Sequence, residues 1–147
     1  MSRIARRPPE ALVRIVADTW TRPFWTAAAQ ERLTCAQCAD CGRFRMPPTP
    51  FCPHCRSQAI DWPTLPGTGT VYSFTLVERA VLAETEDSIP YVPAVIDLDG
   101  ATPARIISTI VDCDVDAICI GARVRVLFDH PADGIGLPRF TLVGDDA

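Results

Sequence analysis

No lysine occurs among the 147 residues, so every fixed side-chain cation is one of 14 arginines. A Ser-x-x-Lys nucleophile pair is therefore excluded, and the chain has no Gly-x-Ser-x-Gly elbow either. Only two histidines are present, His54 and His130, and neither stands at a catalytic spacing from a nucleophile or carboxylate. His54 reads as a solvated side chain. No apolar run approaches the roughly 18 residues of a membrane span. Ala11 to Trp20 is interrupted by Arg14 and Asp18, which leaves no signal-peptide core. The expectation is a cytoplasmic protein in a reducing compartment, where paired cysteines hold metal in preference to disulfides.

Two partial motifs also fail. Asp112, Asp114 and Asp116 open like a calcium loop, but Ala117 stands where glycine is needed and Arg123 where glutamate is needed. Gly67-Thr68-Gly69 precedes a strand and so cannot be a phosphate loop opening a helix.

Four of the seven cysteines carry the strongest chemical signal. Cys38 and Cys41 form one Cys-x-x-Cys pair, and Cys52 and Cys55 form a second. Two such turns brought together by a short hairpin make a tetrahedral four-sulfur site, with zinc favoured and iron as the rival. Gly42 can supply the positive φ that the first turn needs, whereas Arg56 holds the matching place in the second. Cys35 lies three residues before Cys38, so a shifted ligand set is geometrically open. Gly42 and the apolar character of position 35 favour the unshifted set. Cys113 and Cys119 read as small buried hydrophobes.

The chain divides into three patterns. Residues 1–34 read as a helical hairpin. Leu12, Val13, Ile15 and Val16 suggest a first helix, and Pro23 opens a second that carries Phe24, Trp25, Ala28 and Leu33. Residues 35–66 form the ribbon, whose dense prolines forbid long helices and leave cohesion to the metal. Residues 67–147 alternate as strands: Thr70 to Glu78, Tyr91 to Leu98, Arg105 to Val111, Arg123 to Phe128 and Arg139 to Val143. A short turn capped by Asp114 falls between the third and fourth, the order of a five-stranded OB-fold barrel. Tyr72, Phe74 and Leu76 are expected on the inner face, and Pro93 at an edge or bulge. The expected fold is mainly β, with an N-terminal helical hairpin, a zinc ribbon and an OB-fold.

The net charge of −4 is unevenly spread, with +5 over residues 1–60 and −9 over residues 61–147. A basic front half suits phosphates or an acidic partner, or else pairs internally. An acidic barrel disfavours nucleic acid, the weaker alternative that an OB-fold invites.

The ordered motifs Pro23-Phe24-Trp25, Cys38-Ala39-Asp40-Cys41-Gly42-Arg43, Pro47-Pro48 and Cys52-Pro53-His54-Cys55 continue through Gly69-Thr70-Val71-Tyr72-Ser73-Phe74-Thr75. Pro90-Tyr91-Val92, Ile120-Gly121-Ala122-Arg123-Val124 and Leu137-Pro138-Arg139-Phe140 complete the set. From Arg22 to Phe140 the chain resembles the acyl-CoA-associated family of thiolase and aldolase accessory proteins, which join a helical hairpin, a rubredoxin-like zinc ribbon and an OB-fold. That resemblance implies a non-catalytic accessory subunit docked on a thiolase-like or aldolase-type acyl-CoA enzyme, stabilising it or completing its acyl-CoA site. It implies zinc on Cys38, Cys41, Cys52 and Cys55, and a CoA thioester as a candidate ligand. Phe24, Trp25, Arg43 and Arg45 become candidates for an acyl-CoA or partner surface. A stand-alone acyl-CoA carrier is the second reading.

Overall fold

Strict apolar–polar alternation is clearest over Val92–Leu98, where Val92, Ala94, Ile96 and Leu98 are buried and the residues between them are half-buried. A period of two places successive side chains on opposite faces of a strand. The computed structural model describes residues 2–144. In it this strand, β5, pairs on one side with β4 (Thr68–Phe74) and on the other with β6 (Arg105–Ile110). β7 (Arg123–Asp129) and β8 (Leu137–Leu142) complete a closed barrel in the order β4-β5-β6-β8-β7. Closure leaves no free sheet edge. The 3-10 turn Val115–Ala117, capped by the Asp114 side chain on the Asp116 N–H, lies between β6 and β7. All five expected strands are present, in the OB-fold order.

Of the expected inner face, Phe74 and Leu76 pack against the core, but Tyr72 does not. The β4–β5 register shifts between Val71 and Ser73, so Val71 is buried while Tyr72 and Ser73 both face outward. A bulge inserts one residue and turns the following side chains over. Tyr72 is consequently on the outside of the barrel, not in its core. Pro93 lies within β5, between two partners. Its carbonyl accepts from the Thr75 N–H just past the end of β4, so its missing N–H falls on the same side, one residue beyond the last β4–β5 pair, Phe74 with Ala94.

The ribbon is a three-stranded sheet in the order β2-β1-β3, built from β1 (Ala36–Cys38), β2 (Phe44–Arg45) and β3 (Ile60–Asp61). Its inner residues, Leu33, Cys35 and Leu65, share one apolar cluster with Phe24 and the barrel residues Val71, Ile96 and Phe140. The ribbon is thus fastened to the barrel by burial as well as by chain connection.

The N-terminal region departs from the expected hairpin. Only the second helix forms, α1 (Arg22–Ala29), with proline in its first turn and Phe24, Ala27 and Ala28 buried. The first reduces to the 3-10 turn Glu10–Leu12, which has no side-chain cap. Leu12 and Val16 remain 48% and 73% exposed, so no surface covers the apolar side such a helix would present. A short helix without tertiary packing does not persist. Residues 3–6 instead run beside the barrel, where Ala5 exchanges backbone hydrogen bonds with Cys113 and Asp112. Arg7 then pairs with Asp112 at 2.6 Å and Asp129 at 2.8 Å, and Arg3 with Asp116 at 2.6 Å and with Glu78. The helical unit expected over residues 1–34 is therefore split, and part of the basic front half neutralises the acidic barrel directly.

Candidate metal centre and adjoining apolar cleft

The two Cys-x-x-Cys turns are built alike. In the first, the Cys38 N–H donates to the Arg43 carbonyl and the Gly42 N–H to the Cys38 carbonyl, both at 2.9 Å. In the second, the Cys52 N–H donates to the Ser57 carbonyl and the Arg56 N–H to the Cys52 carbonyl, both at 2.8 Å. Gly42 adopts φ +77°, and Arg56 adopts φ +66° in the same role without being glycine. The turn geometry is thus kept although one glycine is missing.

These turns bring the Sγ atoms of Cys38, Cys41, Cys52 and Cys55 within 4.8 Å of one another. Cys38 and Cys55 are 3.5 Å apart, and Cys41 and Cys52 are 3.6 Å apart. Four sulfurs at zinc–sulfur bonding distance from one tetrahedral centre lie about 3.8 Å apart. The donor set therefore fits a tetrahedral metal. Backbone N–H groups favour two of the thiolates: that of Cys55 draws the Cys52 thiol down to about 6, and that of Cys41 lowers Cys38. Against the N–H groups of Arg43 and Ser57, Cys41 and Cys55 are raised by burial and the neighbouring thiols. Cys35 stands apart. It is fully buried, its Sγ lies 3.6 Å from the Arg45 carbonyl, and burial pushes its thiol up to about 11. Cys113 is half-buried, whereas Cys119 is exposed, contrary to its expected burial.

Beside the ribbon, α1 and the barrel enclose a cleft of about 520 Å³. Phe24, Trp25, Met46, Pro47, Ile107 and Leu137 are among its walls, and Arg105 lines it too. Phe24 and Trp25 meet edge to face, with ring centroids 5.0 Å apart. A second cavity of about 460 Å³ shares Met46, Pro47 and Arg105 with it and is also lined by Phe44, Arg45 and Pro103. The structure thus brings Phe24 and Trp25 into one site. Arg43 is exposed on the ribbon and lines neither cavity. Arg45 lines the second cavity, but its side chain is buried and its Nε and Nη2 donate to the Thr49 carbonyl, bracing the proline-rich loop. Arg105, Met46 and Ile107 carry no local signal of a site, because the cleft is assembled from five separate segments. Pro47-Pro48 and Leu137-Pro138 are legible as motifs, without any sign that they line one cleft.

Residues 25–61 match the model described as the ChsH2 rubredoxin-like zinc ribbon domain, and residues 62–129 that of the ChsH2 C-terminal OB-fold domain. A DUF35 domain-containing scaffold protein from Methanothermobacter thermautotrophicus is 35% identical over 97 residues, spanning 65% of this chain and 71% of that protein. The chain belongs to the ChsH2/DUF35 family. Among solved structures, this DUF35 chain superposes on one from the "Ltp2-ChsH2(DUF35) aldolase" with a TM-score of 0.77 and 32% identity, covering 88% of this chain and 98% of that one. A DUF35 protein of unknown function from Sulfolobus solfataricus shares the fold, with a TM-score of 0.62 at 17% identity over 86% of this chain and 87% of its own. A protein named "Probable enoyl-CoA hydratase alpha subunit" from Thermomonospora curvata is 39% identical over 135 residues, which is 90% of this chain. The chain spans only 40% of that relative's length. Among the described residues, no helix is long and apolar enough to cross a membrane.

Proposed function

We propose that this DUF35 protein is a non-catalytic accessory subunit. It docks on a thiolase-like or aldolase-type acyl-CoA enzyme and stabilises that enzyme or helps complete its acyl-CoA site. The observation that carries this reading is its likeness, over 98% of that chain, to the DUF35 chain of an aldolase assembly. The 39% identity to a protein named as an enoyl-CoA hydratase subunit points to the same chemistry.

Zinc on Cys38, Cys41, Cys52 and Cys55 would order the ribbon; a site closed by four thiolates has no open position to activate water. Its work is cohesion. Structural zinc contributes on the order of 10–16 kcal/mol in small peptides, ample for a segment whose own core is thin. The ordered ribbon in turn fixes Met46 and Pro47 against α1 and β6, which shapes the cleft. The reaction's nucleophile and base would then belong to the partner.

The test is affinity purification of the tagged chain from its source cells. Stoichiometric recovery of one acyl-CoA-processing enzyme is expected, and its loss with the Cys52→Ser variant. A second reading, a stand-alone acyl-CoA carrier, draws support from the apolar cleft. Micromolar acyl-CoA binding by the chain together with no recovered enzyme would favour it.

A further inference from the structure

Arg105 is held in an unusual setting for a surface arginine. Its Nε donates to the Asp97 carboxylate across the β5–β6 ladder at 2.7 Å. Its guanidinium carbon lies 3.6 Å from the centre of the Tyr72 ring, which the β4 bulge turns outward. Carboxylate and aromatic face together fix the guanidinium, while Nε is its one nitrogen with a hydrogen-bond partner among the described residues. The two terminal amino groups form a fork suited to a second carboxylate or a phosphate. Arg105 lines both the apolar cleft and the second cavity.

We propose that the cleft is a binding site for an amphipathic anion, with its apolar body between Trp25, Met46 and Ile107 and its anionic group on Arg105. A volume of about 520 Å³ falls in the range of small-molecule sites, roughly 300–1,000 Å³. Two features point to this occupant over a purely apolar one. Ile107 is 80% exposed on the barrel wall beside a fixed cation, so one molecule covering both must be apolar at one end and anionic at the other. The second cavity gives such a molecule room to extend beyond Arg105 along Pro103 and Phe44. The site stands on this geometry; only the identification of the apolar body as an acyl group rests on the proposed function. The anion can come from a free carboxylate or from the phosphates of a CoA thioester.

The test is calorimetric titration of the zinc-loaded full chain with decanoate, decanoyl-CoA, decanol and CoA. Decanoate or decanoyl-CoA should saturate at one molecule per chain and bind roughly tenfold or more tightly than decanol and CoA respectively. Arg105→Gln should weaken the anionic probe by roughly tenfold while leaving decanol within about twofold, and Arg105→Lys should recover part of the loss. Ile107→Asp, at an exposed position where folding is not at stake, should weaken both decanoate and decanol. Tighter binding of decanoyl-CoA identifies the thioester as the source, and tighter binding of decanoate identifies the free acid. No saturable binding of either anion would overturn the proposal. So would an unchanged affinity in the Arg105→Gln variant with intact zinc content. Partner recovery reads docking and this titration reads the cleft, so either can fail without the other.

Discussion

Gly136 packs directly on the carbonyl oxygen of Ala28: a Cβ at Gly136 would stand 2.0 Å from that oxygen. The loop between β7 and β8 therefore closes on α1 with no space for a side chain, and it delivers Leu137 and Pro138 to the cleft wall opposite Phe24 and Trp25. Gly136→Ala must push loop and helix apart. An overpacking cost of about 1–3 kcal/mol is expected in urea unfolding. A shift in Trp fluorescence, to which Trp25 contributes alongside Trp20 and Trp62, should accompany it. Unchanged stability would show that the contact is slack.

The ligand set is separable from its neighbour by substitution. Cys41→Ser and Cys52→Ser should each abolish stoichiometric zinc and soluble folding, because three thiolates do not close the site. Cys35→Ala should keep full metal content and cost about 1–2 kcal/mol, as a buried atom removed from a packed cluster. Metal analysis of the purified variants decides it. Zinc retained in Cys41→Ser, or lost in Cys35→Ala, would contradict the assignment.

The two ribbon turns predict substitutions of opposite sign. Arg56 holds φ +66° at a cost that glycine does not pay, so Arg56→Gly should stabilise the zinc-loaded protein by about 1 kcal/mol. Gly42→Ala, at φ +77°, should destabilise it by a similar or larger amount. Thermal melts of the two variants beside the parent give both signs in one experiment.

The same β7–β8 loop has a titrating contact with the helical segment. His130 Nε2 lies 3.0 Å from a Glu31 carboxylate oxygen, and the Ile135 carbonyl lies 2.9 Å from Nδ1. Glu31 first, then that carbonyl, favour the imidazolium and raise its pKa above the ordinary 6.5. The stabilisation is complete below the unfolded-state value and is lost as pH rises through the raised native one. Denaturant midpoints should fall across that window in the parent and fall less in Glu31→Gln. Identical pH profiles would remove this contact from the account.

Legibility in the sequence followed locality. Cys38, Cys41, Cys52 and Cys55 were readable because each turn is fixed by residues two or three apart, and the five strands because alternation is a local pattern. Tyr72 was misplaced because a one-residue bulge reverses the faces without a marker in composition. The first helix does not form because Leu12, Val13 and Val16 have helical spacing but no surface to bury it. Arg105 was invisible as a site residue because Asp97 and Tyr72, which fix it, lie on two other strands. Of the candidate arginines, Arg45 has its hydrogen bonds directed into the ribbon's own loop, a fate that depends on how residues 46–49 fold back.

Whether the chain works as an accessory subunit is decided by recovering it, tagged, from its source cells under mild conditions and quantifying what accompanies it. One thiolase-like or aldolase-type acyl-CoA enzyme is expected in near-equal amount, present with the parent chain and absent with Cys52→Ser. Recovery of the intact, zinc-loaded chain without any acyl-CoA enzyme would contradict it.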